Sequence, residues 1–252
     1  MTAYAQIASP PAAGRASLGR LTAVELRKMA DTRAGFWLLL VCGLIAVGLV
    51  GIVIGFGNDQ DKTLESLLSG TLGATSVLLP IVGILLVTSE WSQRTALATF
   101  TLVPERERVV LAKFLAGIAF SIVASAICLV MSVLGAAIAG GDMSLPVSAI
   151  LNGLLYQALG IVMGMGFGLA LQSSPLAIVL YFVLPIVIAI VFQSISALND
   201  AGEWIDTSLT FQPLAENEMG SGDWGRLAVS SGVWLLIPLV VGLVRLRRSE
   251  LK

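Results

Sequence analysis

Residues 35–57 read GFWLLLVCGLIAVGLVGIVIGFG, 23 residues without one Asp, Glu, Lys or Arg. About 20 apolar residues carry a helix across bilayer hydrocarbon, where backbone polar groups must be satisfied within the segment. This stretch therefore predicts a transmembrane helix. Five more charge-free runs follow, at 67–88, 114–139, 147–172, 175–198 and 227–244, of 22, 26, 26, 24 and 18 residues. Six such runs in one chain exclude an ordinary water-soluble domain. Composition agrees, with mean hydropathy +0.91, 56% hydrophobic residues and only 12% charged ones. The predicted fold class is an all-α polytopic membrane protein with six transmembrane helices.

The charges between the runs set an orientation. With the N-terminus in the cytoplasm and the sides alternating, 13 of the 15 basic residues are cytoplasmic; only Lys62 and Arg226 are not. Ten of the 16 acidic residues fall on the outer side. The positive-inside rule then places both termini in the cytoplasm. The first run is too long for the apolar core of a cleavable secretory signal, about 7–15 residues. Cys42 and Cys128 lie inside predicted spans and read as small buried hydrophobes.

Outward from these runs, residues 1–16 are Ala/Pro-rich and read as disordered. Ser17 can cap a helix reaching about Arg33. Leu18, Leu21, Leu26 and Met29 fall on one side of it and Arg20, Arg27 and Asp31 opposite, with Glu25 projecting into the apolar side. This reads as an amphipathic helix along the cytoplasmic leaflet. Pro80 predicts a kink in the second span. Residues 196–226 mix acids with Trp204, Ile205, Leu209, Phe211, Leu214 and Trp224, a pattern for short amphipathic helices at the outer interface.

Residues 89–113, SEWSQRTALATFTLVPERERVVLAK, join spans two and three and carry seven charges. Trp91, Thr95, Ala98 and Leu102 recur on one helical stripe, and Glu90 can pair with Arg94. Pro104 ends that helix and suits the first turn of the next, which runs through Arg106 and Lys113 into span three. Such a helix–turn–helix is a surface for a partner.

Some chemistry is missing. The chain has no His, no GxxxxGK[ST] phosphate loop, no HExxH and no GxSxG. It therefore lacks its own nucleotide motor and the residues of common hydrolytic sites, and no enzymatic activity is expected of it. No Asp, Glu, Lys or Arg lies inside a span, which argues against an ion-coupled carrier. The polar residues inside the spans are neutral. Thr75, Ser121, Ser125, Asn152, Tyr156, Gln157 and Gln193 could line a translocation surface or join helices by hydrogen bonds. Gly160, Gly164 and Gly168 stand at spacing four, which suits close helix packing.

The combination resembles the permease subunits of ABC-2 type transporters, the membrane partners of ABC ATPases. The lead-in with Glu25, Arg27 and Lys28 looks like that family's elbow helix. The order Glu90, Arg94-Thr95, Leu102, Pro104, Arg106, Lys113 is similar to its first cytoplasmic loop, with Arg94 where Gly commonly precedes the Thr. The resemblance spans residues 17–252, as one transmembrane domain with an elbow helix and a cytoplasmic coupling helix between spans two and three. It implies a bacterial plasma-membrane exporter subunit of a hydrophobic or amphiphilic cargo such as a drug, antibiotic or lipid. Two ABC ATPase copies and a second permease subunit, identical or not, are the implied partners beside membrane lipid. ATP and magnesium would sit in the ATPase and none in this chain; no nucleic-acid partner is expected. Glu90, Trp91, Arg94, Thr95, Ala98, Leu102, Pro104 and Arg106 would couple to the ATPase. The alternatives are a non-transporting anchor or sensor that recruits an ATPase and, more remotely, a secondary transporter.

Overall fold

Ser17 opens the first helix: its hydroxyl accepts the Arg20 amide at 3.3 Å, as a capping residue does. This is α1 (Leu18–Asp31), followed by α2 (Arg33–Phe56). The computed structural model describes residues 17–31, 33–92 and 106–248. A 3₁₀ turn at Asp59–Lys62 leads to α3 (Leu64–Thr75) and α4 (Leu78–Ser92), then α5 (Arg106–Ala139), α6 (Val147–Leu171) and α7 (Ser174–Ser194). Short helices α8 (Asn199–Ile205) and α9 (Thr207–Ala215) precede α10 (Asp223–Ser231), a π-turn at Gly232–Leu236 and α11 (Ile237–Arg248). All regular structure among the described residues is helical. Six segments are long and apolar enough to cross a membrane: Gly35–Phe56, Leu64–Ser89, Glu107–Ala139, Val147–Leu171, Ser174–Ser194 and Asp223–Arg248.

The second segment corrects the single kinked helix expected there. It is two helices, broken at Ser76 and Val77. Proline has no amide to give the carbonyl four residues back, so Pro80 cannot close a bond to Ser76, and it sits comfortably in the first turn of α4. The last segment also departs from expectation. It starts at Asp223, before the charge-free run, and contains the π-turn.

The centre of the bundle is the α4–α6 crossing. A Cβ on Gly164 would collide with the Pro80 carbonyl, one on Gly83 with the Ile161 carbonyl, and one on Gly168 would press on Ile84. Gly160 is looser, with Pro80 Cγ 3.7 Å from such a Cβ. In lipid, helices gain little by hiding from solvent, so close backbone approach must supply the contact. Leu79, Val82, Ile161, Met165 and Leu169 fill the crossing, with α1, α5 and α11 closing around it through Met29, Phe114, Phe120 and Leu246. At the periphery, α7 buries only Ala177.

Residues 196–226 do form short helices, with Trp204, Leu209 and Trp224 about half exposed and Leu214 buried. Trp234 Nε1 donates to the Ile205 carbonyl at 2.8 Å. The Asp206 carboxylate caps α9 by accepting the Ser208 amide at 2.9 Å.

Candidate functional site

Glu25 looked like a flaw in the apolar face of α1, and its partner explains it. Lys113 Nζ donates to Glu25 Oε2 at 2.7 Å, and Lys28 Nζ donates to Oε1 at 2.7 Å. Glu25 and Lys113 are 4% and 3% exposed, so this is a buried ion pair. Burial alone would push the Glu25 carboxyl up; the charges and hydrogen bonds of Lys113 and Lys28 more than offset it and hold it below its ordinary value of 4.5. The neighbouring Leu26 and Met29 pack into the main core. The pair thus fastens α1 to the start of α5. Nearby, Arg247 Nε donates to Glu107 at 2.8 Å in an exposed pair. Arg245 donates to the Ala170 carbonyl at 2.9 Å, satisfying an orphan acceptor at the end of α6. The pairing of Glu25 with Lys113 escaped the sequence reading; its one signal was an acid on an apolar helix face.

Of the other residues named for this end, Arg94, Thr95, Ala98, Leu102 and Pro104 lie outside the described residues, as do residues 1–16. Glu90 falls in α4 and Arg106 opens α5. Trp91 is half-buried against the main core cluster. Arg27 is exposed.

The neutral polar residues named inside the spans do not form one surface. Gln157 Nε2 donates to Thr75 Oγ1 at 2.8 Å and to the Leu72 carbonyl at 3.3 Å. Thr71 and Ser132 share a hydrogen bond of 3.1 Å, so these groups knit α3 to α5 and α6. Ser121 and Ser125 are buried on α5, and Ser121 bonds its own helix at Ile118. At the end opposite Glu25, Asn152 Nδ2 donates to Asn217 Oδ1 and Asn217 Nδ2 to Glu65 Oε1, both at 2.9 Å. Asn217 holds a left-handed backbone, φ 59°. Gln193 is exposed and stands apart from the others.

Tyr156 alone of that set lines a cavity of about 290 Å³ between α6, α7, α9 and the π-turn. Six of its fourteen lining residues are aromatic: Tyr156, Phe167, Tyr181, Phe182, Phe211 and Trp234. Their rings meet edge-on or stacked, Phe167 to Tyr181 at 5.6 Å and Phe167 to Trp234 at 6.4 Å. None of the lining residues is Asp, Glu, Lys or Arg. The sequence reading named Phe211 only as an interfacial residue and missed Phe167, Tyr181, Phe182 and Trp234, because the wall is assembled from separate elements. Among the described residues, no group of three His, Cys, Asp or Glu is placed to hold a metal ion.

No protein-family model and no curated protein matches this chain.

Proposed function

We propose that the chain is the membrane-embedded permease subunit of an ATP-binding cassette exporter of the ABC-2 type. It would move a hydrophobic or amphiphilic substrate on energy from ATP hydrolysed by a separate ATPase. The buried Glu25–Lys113 pair carries this reading. Stripping a buried ion pair of one partner costs about 3–5 kcal/mol, which favours α1 and the base of α5 moving together. A push on either element, or on residues 93–105 between α4 and α5, then reaches the helix that runs from Arg106 to Ala139. Such a rigid lever is what a chain without its own phosphate loop needs if a separate motor drives it. In this reading the basic end is cytoplasmic and the stripe from Trp91 to Leu102 docks on two ATPase copies. The cavity and its uncharged lining favour a transported amphiphile over a purely anchoring role.

The test is copurification of an ABC ATPase with this chain from the cells that make it. Leu102→Asp is expected to abolish it while membrane insertion persists. Trp91→Asp should weaken it too, but also disturbs the core that Trp91 packs on. Undiminished copurification with Leu102→Asp would contradict the docking role. Copurification with ATP hydrolysis but no substrate movement would assign the chain as an anchor instead.

A further inference from the structure

Three prolines fall inside the span-length segments, beyond their first residues: Pro80, Pro185 and Pro238. Each withholds the amide that would close a helical bond to the carbonyl four residues back. Those carbonyls belong to Ser76, Tyr181 and Trp234, and all three residues are among the fourteen that line the aromatic cavity. Two of the segments respond at those points. The second segment breaks at Ser76 and Val77, and the last takes its π-turn at Gly232–Leu236. The helix Ser174–Ser194 runs on unbroken through Pro185, and all three prolines fall in the interior of their segments, Leu64–Ser89, Ser174–Ser194 and Asp223–Arg248. Irregular backbone at mid-bilayer depth is tolerated where it is buried in protein or lines a cavity, and broken helices that meet there commonly build a binding site.

The chemistry of the wall selects the occupant. Carbonyl oxygens only accept hydrogen bonds, so the ligand must bring hydroxyl or amide donors. Tyr156 and Tyr181 add neutral hydroxyls, and with no charged residue on the wall an ionic ligand would be left uncompensated. The aromatic rings suit a flat or branched apolar body. The volume of about 290 Å³ stands at the small end of ligand pockets, about 300–1,000 Å³. Val77 and Ile186 are both on the wall and both exposed, at 52% and 59%. They set the mouth on the apolar flank of the bundle, away from its polar ends, so entry is from the hydrocarbon phase.

We propose that this cavity binds an uncharged amphiphile carrying hydrogen-bond donors, drawn sideways from the bilayer and held by the Tyr156 and Tyr181 hydroxyls together with the backbone carbonyls that Pro80, Pro185 and Pro238 leave without their helical donors. Its role as a cargo site rests on the exporter reading; its ability to bind does not.

The experiment is photolabelling of the full chain, without any ATPase, in dioleoylphosphatidylcholine vesicles with 3-azioctanol, a neutral photoreactive alcohol, and mapping of the adducts by mass spectrometry. Adducts are expected to concentrate on the cavity residues and to be displaced by excess 1-octanol. The double variant Tyr156→Phe/Tyr181→Phe keeps both rings and should cut labelling about tenfold. Labelling no denser in the cavity than on the exposed flank of α2, around Val47 and Ile52, overturns the assignment, as does labelling undiminished in the double variant. Because no ATPase is present, either negative result leaves the exporter reading intact. Loss of ATPase partnership with labelling preserved removes the exporter reading alone.

Discussion

The two ends of the bundle are fastened by different chemistry. At one, Glu25 and Lys113 join α1 to α5 through a buried ion pair. At the other, Asn217 bridges Asn152 and Glu65 by amide hydrogen bonds. A buried charge stripped of its partner is costly, whereas an amide link can be exchanged for water at about 1 kcal/mol for a neutral bond and about 1.5–3 kcal/mol for one to a carboxylate. In the proposed exporter reading the first end would transmit force as a unit, and the second would be the one to open and close.

The sharpest way to break the contrast is Glu25→Ala. It leaves Lys113 charged and buried, and should lower stability to urea unfolding by about 3–5 kcal/mol. Replacing both partners, Glu25→Leu with Lys113→Met, should recover most of that loss in the same assay, because the buried charge leaves together with the carboxylate that balances it. Recovery of stability without recovery of ATP-coupled activity would separate the lever from the mere fold.

Acid should weaken the same end without mutation. The Glu25 carboxyl titrates below its ordinary value of 4.5 in the folded chain. Its stabilising contribution is thus complete above about 4.5, and is lost as pH falls through the lower folded value. Amide exchange over α1 should accelerate in that acid window in the natural chain, and show no such step in the doubly apolar variant.

At the opposite end, Asn217→Ala removes two hydrogen bonds and puts a Cβ-bearing residue with no polar side chain in a left-handed backbone. The expected cost is about 2–3 kcal/mol. Asn217→Gly keeps the backbone at ease and should cost about 1 kcal/mol less than the alanine variant in the same unfolding experiment. An Asn217→Ala cost equal to that of Glu25→Ala would erase the distinction between the ends.

The smallest effect is expected for Arg226→Ala. Its pair with Glu203 is 2.7 Å long but exposed, and such pairs contribute about 0–1 kcal/mol. A larger loss would mean that α8 is held by charge and not by the Trp234–Ile205 hydrogen bond.

The six spans were legible because charge is expensive in hydrocarbon and its absence over twenty residues is visible in one dimension. Proline was legible as a disturbance, but not its outcome. Pro80 was read as a kink, and the helix instead stops at Ser76 and Val77. Glu25 was legible only as an imperfection. Periodicity compares a residue with neighbours on its own helix, while the partner of Glu25 lies 88 residues away. Asn152, Gln157 and Thr75 were recognised as polar groups that could join helices or face a substrate, and nothing local chooses between these. Their hydrogen bonds to Asn217 and Leu72 are tertiary facts. The cavity was the least legible feature, since its lining residues come from separate segments that meet only once the chain is folded.

The central claim is that a separate ATPase drives this chain to move an amphiphile, and flux into inside-out vesicles tests it most directly. Vesicles carrying the chain and an ABC ATPase that copurifies with it should accumulate tritiated 3-azioctanol only when ATP is supplied. Accumulation should cease when the phosphate-loop lysine of the ATPase is replaced. Uptake by the chain alone under an ion gradient, or steady ATP hydrolysis by the complex with no uptake, would contradict the account.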